Sequence, residues 1–321
     1  MNDSLDVSVI IINYKTPKMC CDCIHSLQEH SSGFSYEIIV IDNSSGDDSE
    51  KIIKDEFKDM VMYVQNDENL GTAKAFNEGA KLAKGHYLFY LNTDTLFINN
   101  AIYEMLSFMK QHKNVAVTGG NLYNTRKEPT HSYQRKYFGM KYFRKDASLI
   151  HMTFAKLFRK WNNYQFNYSN APIPVDYVCA AATLMDKSVY LKLGGFDEEI
   201  FIYGDEALYA YRCKQIGLLS YNVPAAKIIH FEGDSFKKNA HDFSEGRVRR
   251  YYDGMTIHVR RIYGEDNILK YYKYRSKKFR KKKVIYSLFG KKQLAQNCEN
   301  EIRIISEYDN KERERLCTMQ S

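Results

Sequence analysis

No apolar run in this chain of 321 residues reaches the roughly 20 residues that a membrane-crossing helix requires, so a soluble or peripheral protein is expected. Residues 1–6 are short, polar and acidic and lead straight into a strand, which is not the pattern of a secretory leader. The seven cysteines form no CxxC pair. Their odd number and scatter read as reduced thiols of a cytoplasmic protein. Cys20, Cys21 and Cys23 crowd too closely for one tetrahedral zinc site on a helix. No GxGxxG follows the first apolar run, which argues against a dinucleotide-dependent dehydrogenase. Nor is there an internal repeat. Acidic residues are missing from one place in particular: Lys273 to Lys292 holds ten Lys or Arg and no Asp or Glu. The net charge of +8 is therefore one patch on an otherwise nearly neutral chain.

What the sequence does contain is a regular alternation. Val7 to Ile12 is a β-branched run of the kind buried on both faces of a parallel sheet. Thr16-Pro17 signals a helix start, followed by apolar Cys20, Ile24 and Leu27 at helical spacing. A second buried strand, Glu37 to Ile41, runs into Asp42-Asn43-Ser44-Ser45-Gly46. Another helix, a strand at Val61–Val64, a helix through Ala73 to Ala83 and a strand at Tyr87–Leu91 complete the first hundred residues. Such strand–helix repetition predicts a Rossmann-like, mostly parallel sheet flanked by helices. Ligands of these sheets sit beyond the carboxyl ends of the strands. Three of those ends are polar here: Asn13-Tyr14, Asp42 to Ser45, and Asn92-Thr93-Asp94. Beyond Val115 the pattern becomes irregular and aromatic, and Tyr123 to Tyr168 reads as a wall of a second substrate site. A buried strand is expected over Val178–Met185, and after Gly246 the chain is helical in propensity.

Six stretches in order, VSVIIINY (7–14), IDNSS (41–45), NLGTAKAFNEG (69–79), YLFYLNTDT (87–95), GGFDEEIFIYGDEALYAYR (194–212) and HFEGDS (230–235), resemble family 2 glycosyltransferases of the GT-A fold, in particular the bacterial rhamnosyltransferase-like branch. The resemblance implies an inverting, metal-dependent transfer of a sugar from a nucleotide-diphosphate donor to a hydroxyl. Asn92-Thr93-Asp94 stands where the family carries a DxD-type signature. Asp94 would thus hold Mn²⁺ or Mg²⁺ on the donor diphosphate, and His230 would complete the metal site. Read without the family, Asp94 is also a good turn former and His230 an ordinary strand-end polar residue. The family's Tyr-Gly-Glu-Asp appears here as Tyr-Gly-Asp-Glu (203–206), so the general base is Glu206 by position and Asp205 by residue type; Glu206 is preferred. Both acids also suit a helix N-terminus through its dipole. The family's next acid is Leu208 here, which alters the acceptor contacts.

For the donor nucleotide, the resemblance assigns Asp42 to the base or ribose and Tyr14 to stacking on a pyrimidine. Asn92 joins them at the strand end, Asn69 and Gly71 open the helix beside the donor, and Lys74 lies near phosphate. Asn43, Ser44 and Ser45 equally suit a plain turn. Gly194 and Gly195 permit a tight bend near the acceptor, with Asp197 fixing that loop.

The organisation expected is a GT-A domain over 1–250, its donor half at 1–100 and its acceptor half at 101–250, then a helical basic extension at 251–321. Cations interleaved with aromatics from Lys273 to Lys292 suit an anionic membrane surface, each contributing about 1 kcal/mol near it. A solvated basic helix and a nucleic-acid contact are the alternatives, and no nucleic-acid partner is expected. Together these features predict an enzyme of bacterial surface-polysaccharide assembly, peripheral on the cytoplasmic face of the cell membrane. Its donor would be a dTDP- or UDP-sugar, with dTDP-L-rhamnose the first choice, and its acceptor a lipid-linked or growing saccharide. The competing classes are a degenerate transferase that only binds, and a sugar nucleotidyltransferase; the latter would want a glycine-rich basic loop where Lys15-Thr16-Pro17 stands.

Overall fold

The computed structural model describes residues 5–135, 137, 139–148, 165–231 and 243–320. Much of the aromatic 123–168 segment and residues 232–235 of the last motif lie outside them.

Strand β1 (Val7–Asn13), helix α1 (Pro17–His30), β2 (Tyr36–Asp42), α2 (Ser49–Phe57), β3 (Val61–Gln65), α3 (Gly71–Leu82) and β4 (Tyr87–Asn92) follow the alternation read from the sequence. The strands β3-β2-β1-β4 pair in parallel. The pleat sends Val9 and Ile11 of β1 to one face and Ile10 to the other, and each face buries its own cluster. Cys20, Cys23, Ile24 and Leu27 of α1 cover the first. Ala73, Phe76 and Ala80 of α3 cover the second, and Gly79 lets that helix approach Ile10 closely, since a Cβ there would lie 2.6 Å from its methyl carbon.

After the short β5 (Thr95–Phe97) and α4 (Ala101–Gln111), β6 (Val115–Tyr123) is longer than its three-residue apolar core suggested. A two-stranded piece, β7 (Tyr133–Gln134) with β9 (Tyr177–Val178), stands apart, and α5 (Lys141–Asp146) and β8 (Ile173–Val175) lie between them in sequence. The strand expected over 178–185 is divided: β9 ends at Val178 and β10 (Ala182–Asp186) inserts antiparallel between β4 and β6. α6 (Lys187–Lys192) and α7 (Asp205–Gln215) follow, then β11 (Leu219–His230), which pairs in parallel with β6 and antiparallel with β5. The β6 register breaks between Asn222 and Lys227, where Pro224 has no N–H to offer a ladder.

Helices α8 (Glu245–Tyr263), α9 (Ile268–Leu288) and α10 (Lys292–Gln320) close the chain. They bury a third cluster rich in tyrosine, including Tyr252, Tyr271 and Tyr272, which Ala207 of α7 joins. The mixed α/β sheet with flanking helices is the GT-A arrangement, and the C-terminal segment is helical and basic, as expected.

Candidate active site

The parallel register sets Asn13 beside Asp42 and Ile12 beside Asn92, so the ends of β2, β1 and β4 lie next to one another. Asp42 is fully buried there. Its carboxylate accepts from Asn13 Nδ2 (2.6 Å), the Ser45 amide (2.8 Å), the Ser45 hydroxyl (2.7 Å) and Gln65 Nε2 (2.9 Å). A buried carboxylate needs such donors, and here they tie the ends of β1, β2 and β3 together. Tyr14, the next residue of the β1 loop, is 44% exposed and available for stacking. Thr16 does not cap α1; its hydroxyl donates to Asn13 Oδ1 at 3.2 Å and lies 3.1 Å from the Thr93 hydroxyl, tying the β1 loop to the Asn92-Thr93-Asp94 turn. Asn69 accepts the Gly71 amide (3.0 Å) and the Asn43 side-chain amide (2.9 Å), so it satisfies a free N–H at the start of α3. Lys74, one turn into that helix, is half-buried and has no ion pair or hydrogen bond among the described residues.

Asp94 and His230 do meet. The antiparallel pairing of β5 with β11 sets His230 against Thr95, and the Phe231 amide donates to the Asp94 carbonyl at 2.9 Å. His230 Nε2 then lies 3.3 Å from Asp94 Oδ1, both side chains retaining some exposure. A carboxylate oxygen and an imidazole nitrogen side by side suit Mn²⁺ or Mg²⁺. Among the described residues no third His, Cys, Asp or Glu joins them. The pair fits a cation whose other ligands come from a diphosphate and water, and it does not fit a self-sufficient protein cage.

The acid pair is built by contacts between distant motifs. Phe201 offers its carbonyl to the Thr72 amide at 2.8 Å. Gly71 (φ +79°) permits this approach, since a Cβ there would lie 2.3 Å from the same oxygen. Asn77 of α3 donates to the Phe196 carbonyl and Glu198 (both 3.0 Å) and accepts the Phe196 amide (3.0 Å) and the Tyr190 hydroxyl. Arg212 of α7 donates to the carbonyls of Leu193 (3.1 Å) and Gly195 (2.6 Å). The Gly194-Gly195-Phe196 bend is thus clamped from both sides. Asp197 ion-pairs with Arg261 at 3.0 Å, a loop-fixing role. Tyr203 (φ 72°) and Gly204 (φ +98°) then turn the chain left-handedly into α7, whose first two residues are Asp205 and Glu206.

Asp205 is buried, and Glu206 is half-buried with its Oε2 accepting the Gly204 amide at 3.2 Å. Glu206 also lines a void of about 10 Å³ with Tyr90, Thr183, Phe196 and Tyr209. Burial raises the Asp205 carboxyl above the ordinary range. Burial, and then the charge of Asp205, raise Glu206 well above it. The hydroxyl of Tyr90 on β4 lies among these charges. Burial pushes its pKa up, and the charges of Asp205, Glu206, Cys179 and Asp94 add to the effect. Tyr90 thus feels the charge of Asp94 and that of the acid pair, and it lines the same small void as Glu206.

Sequence reasoning missed Asn77, Arg212, Gly254 and His258, all of which hold the acid loop. Asn77 was visible as a polar residue in the apolar stripe of α3. Gly254 and His258 carried no local signal, because their partner loop lies some fifty residues away in sequence.

The family model described as "Glycosyl transferase family 2" matches residues 8–191. The glucosyltransferase WfaP of Escherichia coli, named as acting on α-D-GlcNAc-diphosphoundecaprenol with UDP-Glc, is 33% identical over 110 residues, 33% of this chain and 42% of that protein. The poly(ribitol-phosphate) β-N-acetylglucosaminyltransferase TarP of Staphylococcus aureus (strain N315) is 30% identical over 117 residues, 35% of this chain and 36% of that protein. These matches span less than half the length of either relative. The mannosyltransferase PcManGT of Pyrobaculum calidifontis, solved with GDP-Man and Mn²⁺, superposes with a TM-score of 0.57 at 12% identity, over 96% of this chain and 88% of that one.

Proposed function

The chain belongs to glycosyl transferase family 2, and from that premise we propose that it is an inverting, metal-dependent glycosyltransferase moving a sugar from a dTDP- or UDP-sugar to a hydroxyl of a lipid-linked or growing surface polysaccharide. dTDP-L-rhamnose is the first donor to test. The observation that supports this reading is the Asp94–His230 pair, 3.3 Å apart where β5 meets β11, in a fold whose Asp205–Glu206 pair opens α7 from a loop bound to α3 through the Phe201–Thr72 contact.

Asp94 and His230 would hold a divalent cation, which supplies charge neutralisation for the departing diphosphate. Tyr14 stacks on the base, and the Asp42 floor with Asn92, Asn69 and Gly71 shapes the nucleotide pocket. Lys74 approaches phosphate. Glu206 takes the proton of the acceptor hydroxyl while that oxygen attacks the anomeric carbon from the face opposite the diphosphate, which inverts the centre. Its raised pKa makes the deprotonated carboxylate a stronger base near neutral pH. Asp205 sustains that shift. The acceptor class follows from WfaP and TarP, whose names specify a lipid diphosphate and a phosphate polymer. The basic stretch Lys273–Lys292 would hold the enzyme to the inner face of an anionic membrane, where lipid-linked acceptors reside.

The test is nucleoside-diphosphate release from a panel of dTDP- and UDP-sugars with Mn²⁺ and a lipid-linked acceptor extract. Release that falls by about 10²-fold or more in Glu206→Gln and is lost in Asp94→Ala is the expected result. Pyrophosphate-dependent turnover would make the protein a nucleotidyltransferase, and nucleotide binding without any turnover would make it a binding module.

A further inference from the structure

Helices α9 and α10 form an antiparallel hairpin whose tip carries Leu288 and Phe289, the two most exposed large apolar side chains among the described residues, with Val284 one turn before them. Leu288 is 81% exposed, Phe289 75% and Val284 58%. Isolated exposed apolar residues are ordinary, but a cluster rimmed by polar groups marks a contact surface. The tip is a tight turn, with Gly290 at φ +66° and the Lys291 amide donating to the Tyr286 carbonyl at 2.8 Å. It is therefore built structure.

The charges around the tip divide into two sets. Arg275 pairs with Glu301 (3.2 Å), Lys278 with Asp146, and Lys283 with Glu299 (2.8 Å), while Lys281 donates to the Ala147 carbonyl (2.7 Å). These cations bind the hairpin to its own fold. Lys273, Lys277, Arg280, Lys282, Lys291 and Lys292 have no anionic partner among the described residues. Lys273, Lys277, Arg280, Val284 and Leu288 recur at spacings of three and four, so they form one stripe along α9. The stripe is cationic along its length and apolar at the tip. It borders two open hollows between the helices, of about 740 Å³ and 500 Å³, which meet at Arg280.

We propose that this hairpin tip is a membrane-docking element: Leu288, Phe289 and Val284 enter the headgroup–acyl boundary of an anionic bilayer while Lys282, Lys291 and Lys292 rest among its phosphates. An anionic lipid surface matches both features at once, the unpaired cations and the apolar point. A nucleic acid would use the cations and leave Leu288 and Val284 in water. A second copy would bring two cationic tips together against their repulsion. The proposal deepens the membrane reading above by naming the surface that makes the contact, and it does not depend on the transfer chemistry.

The experiment is sedimentation of the full chain with vesicles of equimolar phosphatidylglycerol and phosphatidylcholine, and with vesicles of phosphatidylcholine alone. The wild type is expected to bind the anionic vesicles preferentially and to lose binding as salt rises. Leu288→Ser with Phe289→Ser, at two exposed positions, should weaken binding roughly tenfold or more, and Lys291→Gln with Lys292→Gln should weaken only the anionic-lipid component. Equal binding to both vesicles, or a tip variant that binds like the wild type, overturns the proposal. So does a concentration-dependent dimer that the tip substitutions abolish while vesicle binding stays absent. None of these readouts uses sugar transfer, so a failure here and a failure of the catalytic reading are distinguishable.

Discussion

His258 Nδ1 lies 3.1 Å from the carbonyl oxygen of Gly204, the residue that turns the chain into the acid pair. The imidazole is fully buried on α8, and it donates that proton because a carbonyl can only accept. One turn earlier, Gly254 lets the helix backbone meet the loop, since a Cβ there would lie 2.4 Å from the Ile202 carbonyl oxygen. Helix α8 thus braces the left-handed Tyr203-Gly204 turn. His258→Phe should lower kcat about tenfold or more by displacing the base, with donor KM little changed, and His258→Asn, which keeps an N–H near the Nδ1 position, should restore most of it. Equal kcat in all three proteins would show that the brace has no bearing on catalysis.

Burial pushes the pKa of His258 down to about 4. In the unfolded chain the same group takes its proton near the ordinary value of about 6.5. Between those two values the unfolded state binds more protons, so this residue's share of stability shrinks as pH falls through the window, by on the order of 3 kcal/mol. The raised carboxyls of Asp205 and Glu206 act in the opposite sense, favouring the folded state as pH falls. Denaturant unfolding of the wild type and His258→Phe between pH 7 and pH 4 separates the two effects. The stability difference between the proteins should move against the wild type as the solution is acidified, and a constant difference would refute the assignment.

The acid pair has its own signature in rate. Glu206 must be deprotonated to act as base, and burial and Asp205 hold it in the protonated form longer. The rising limb of kcat/KM should therefore lie above the ordinary carboxyl range and shift toward lower pH in Asp205→Asn, which removes the neighbouring charge. Because the two groups interact, the limb reports a property of the pair. A limb at the ordinary glutamate value would remove Glu206 from the role.

Most of the first hundred residues were legible because their signals are local. A β-branched run buried on both faces, a proline in a first turn and a polar strand end each show within a few residues, and β1 to β4 follow them closely. The pairing of Asp94 with His230 was legible only through the resemblance, since 136 residues separate them and an antiparallel β5–β11 contact brings them together. The division of 178–185 into two strands was not legible, because an apolar run does not reveal which neighbour it pairs with. The clamps on the acid loop were hidden for the same reason: Asn77, Arg212 and His258 act through tertiary contacts. The resemblance gave Asp42 a direct binding role; what the structure shows is a carboxylate with four internal hydrogen bonds that organises the strand ends around it.

Gly71 and Gly46 offer a controlled comparison. Both have positive φ, but a Cβ at Gly71 would strike the Phe201 carbonyl oxygen, whereas open space surrounds the one at Gly46. Gly46→Ala should lose about 1 kcal/mol through backbone conformation alone. Gly71→Ala adds a clash that must push away the Phe201–Thr72 contact and the acid loop with it. Its kcat should fall well beyond that of Gly46→Ala. Equal losses in both rate and thermal unfolding would mean that the α3–loop contact does not position the base.

With Asp94 and His230 proposed as the ligands and no third His, Cys, Asp or Glu beside them among the described residues, the protein alone should hold Mn²⁺ weakly. A nucleoside diphosphate adds charged oxygens to the same cation, so the two should bind cooperatively, and each should tighten the other by the same factor. Calorimetric titration of Mn²⁺ with and without UDP or dTDP measures this directly, with no need for turnover. At least a tenfold tightening is expected, from a coupling of about 1.4 kcal/mol or more. Asp94→Ala should abolish the coupling, because the carboxylate supplies the charge. His230→Ala should reduce it more for Mn²⁺ than for Mg²⁺, because imidazole favours the softer ion. Tight Mn²⁺ binding in the absence of nucleotide would mean that further protein ligands complete the site, and an unchanged coupling in Asp94→Ala would move the metal away from this turn.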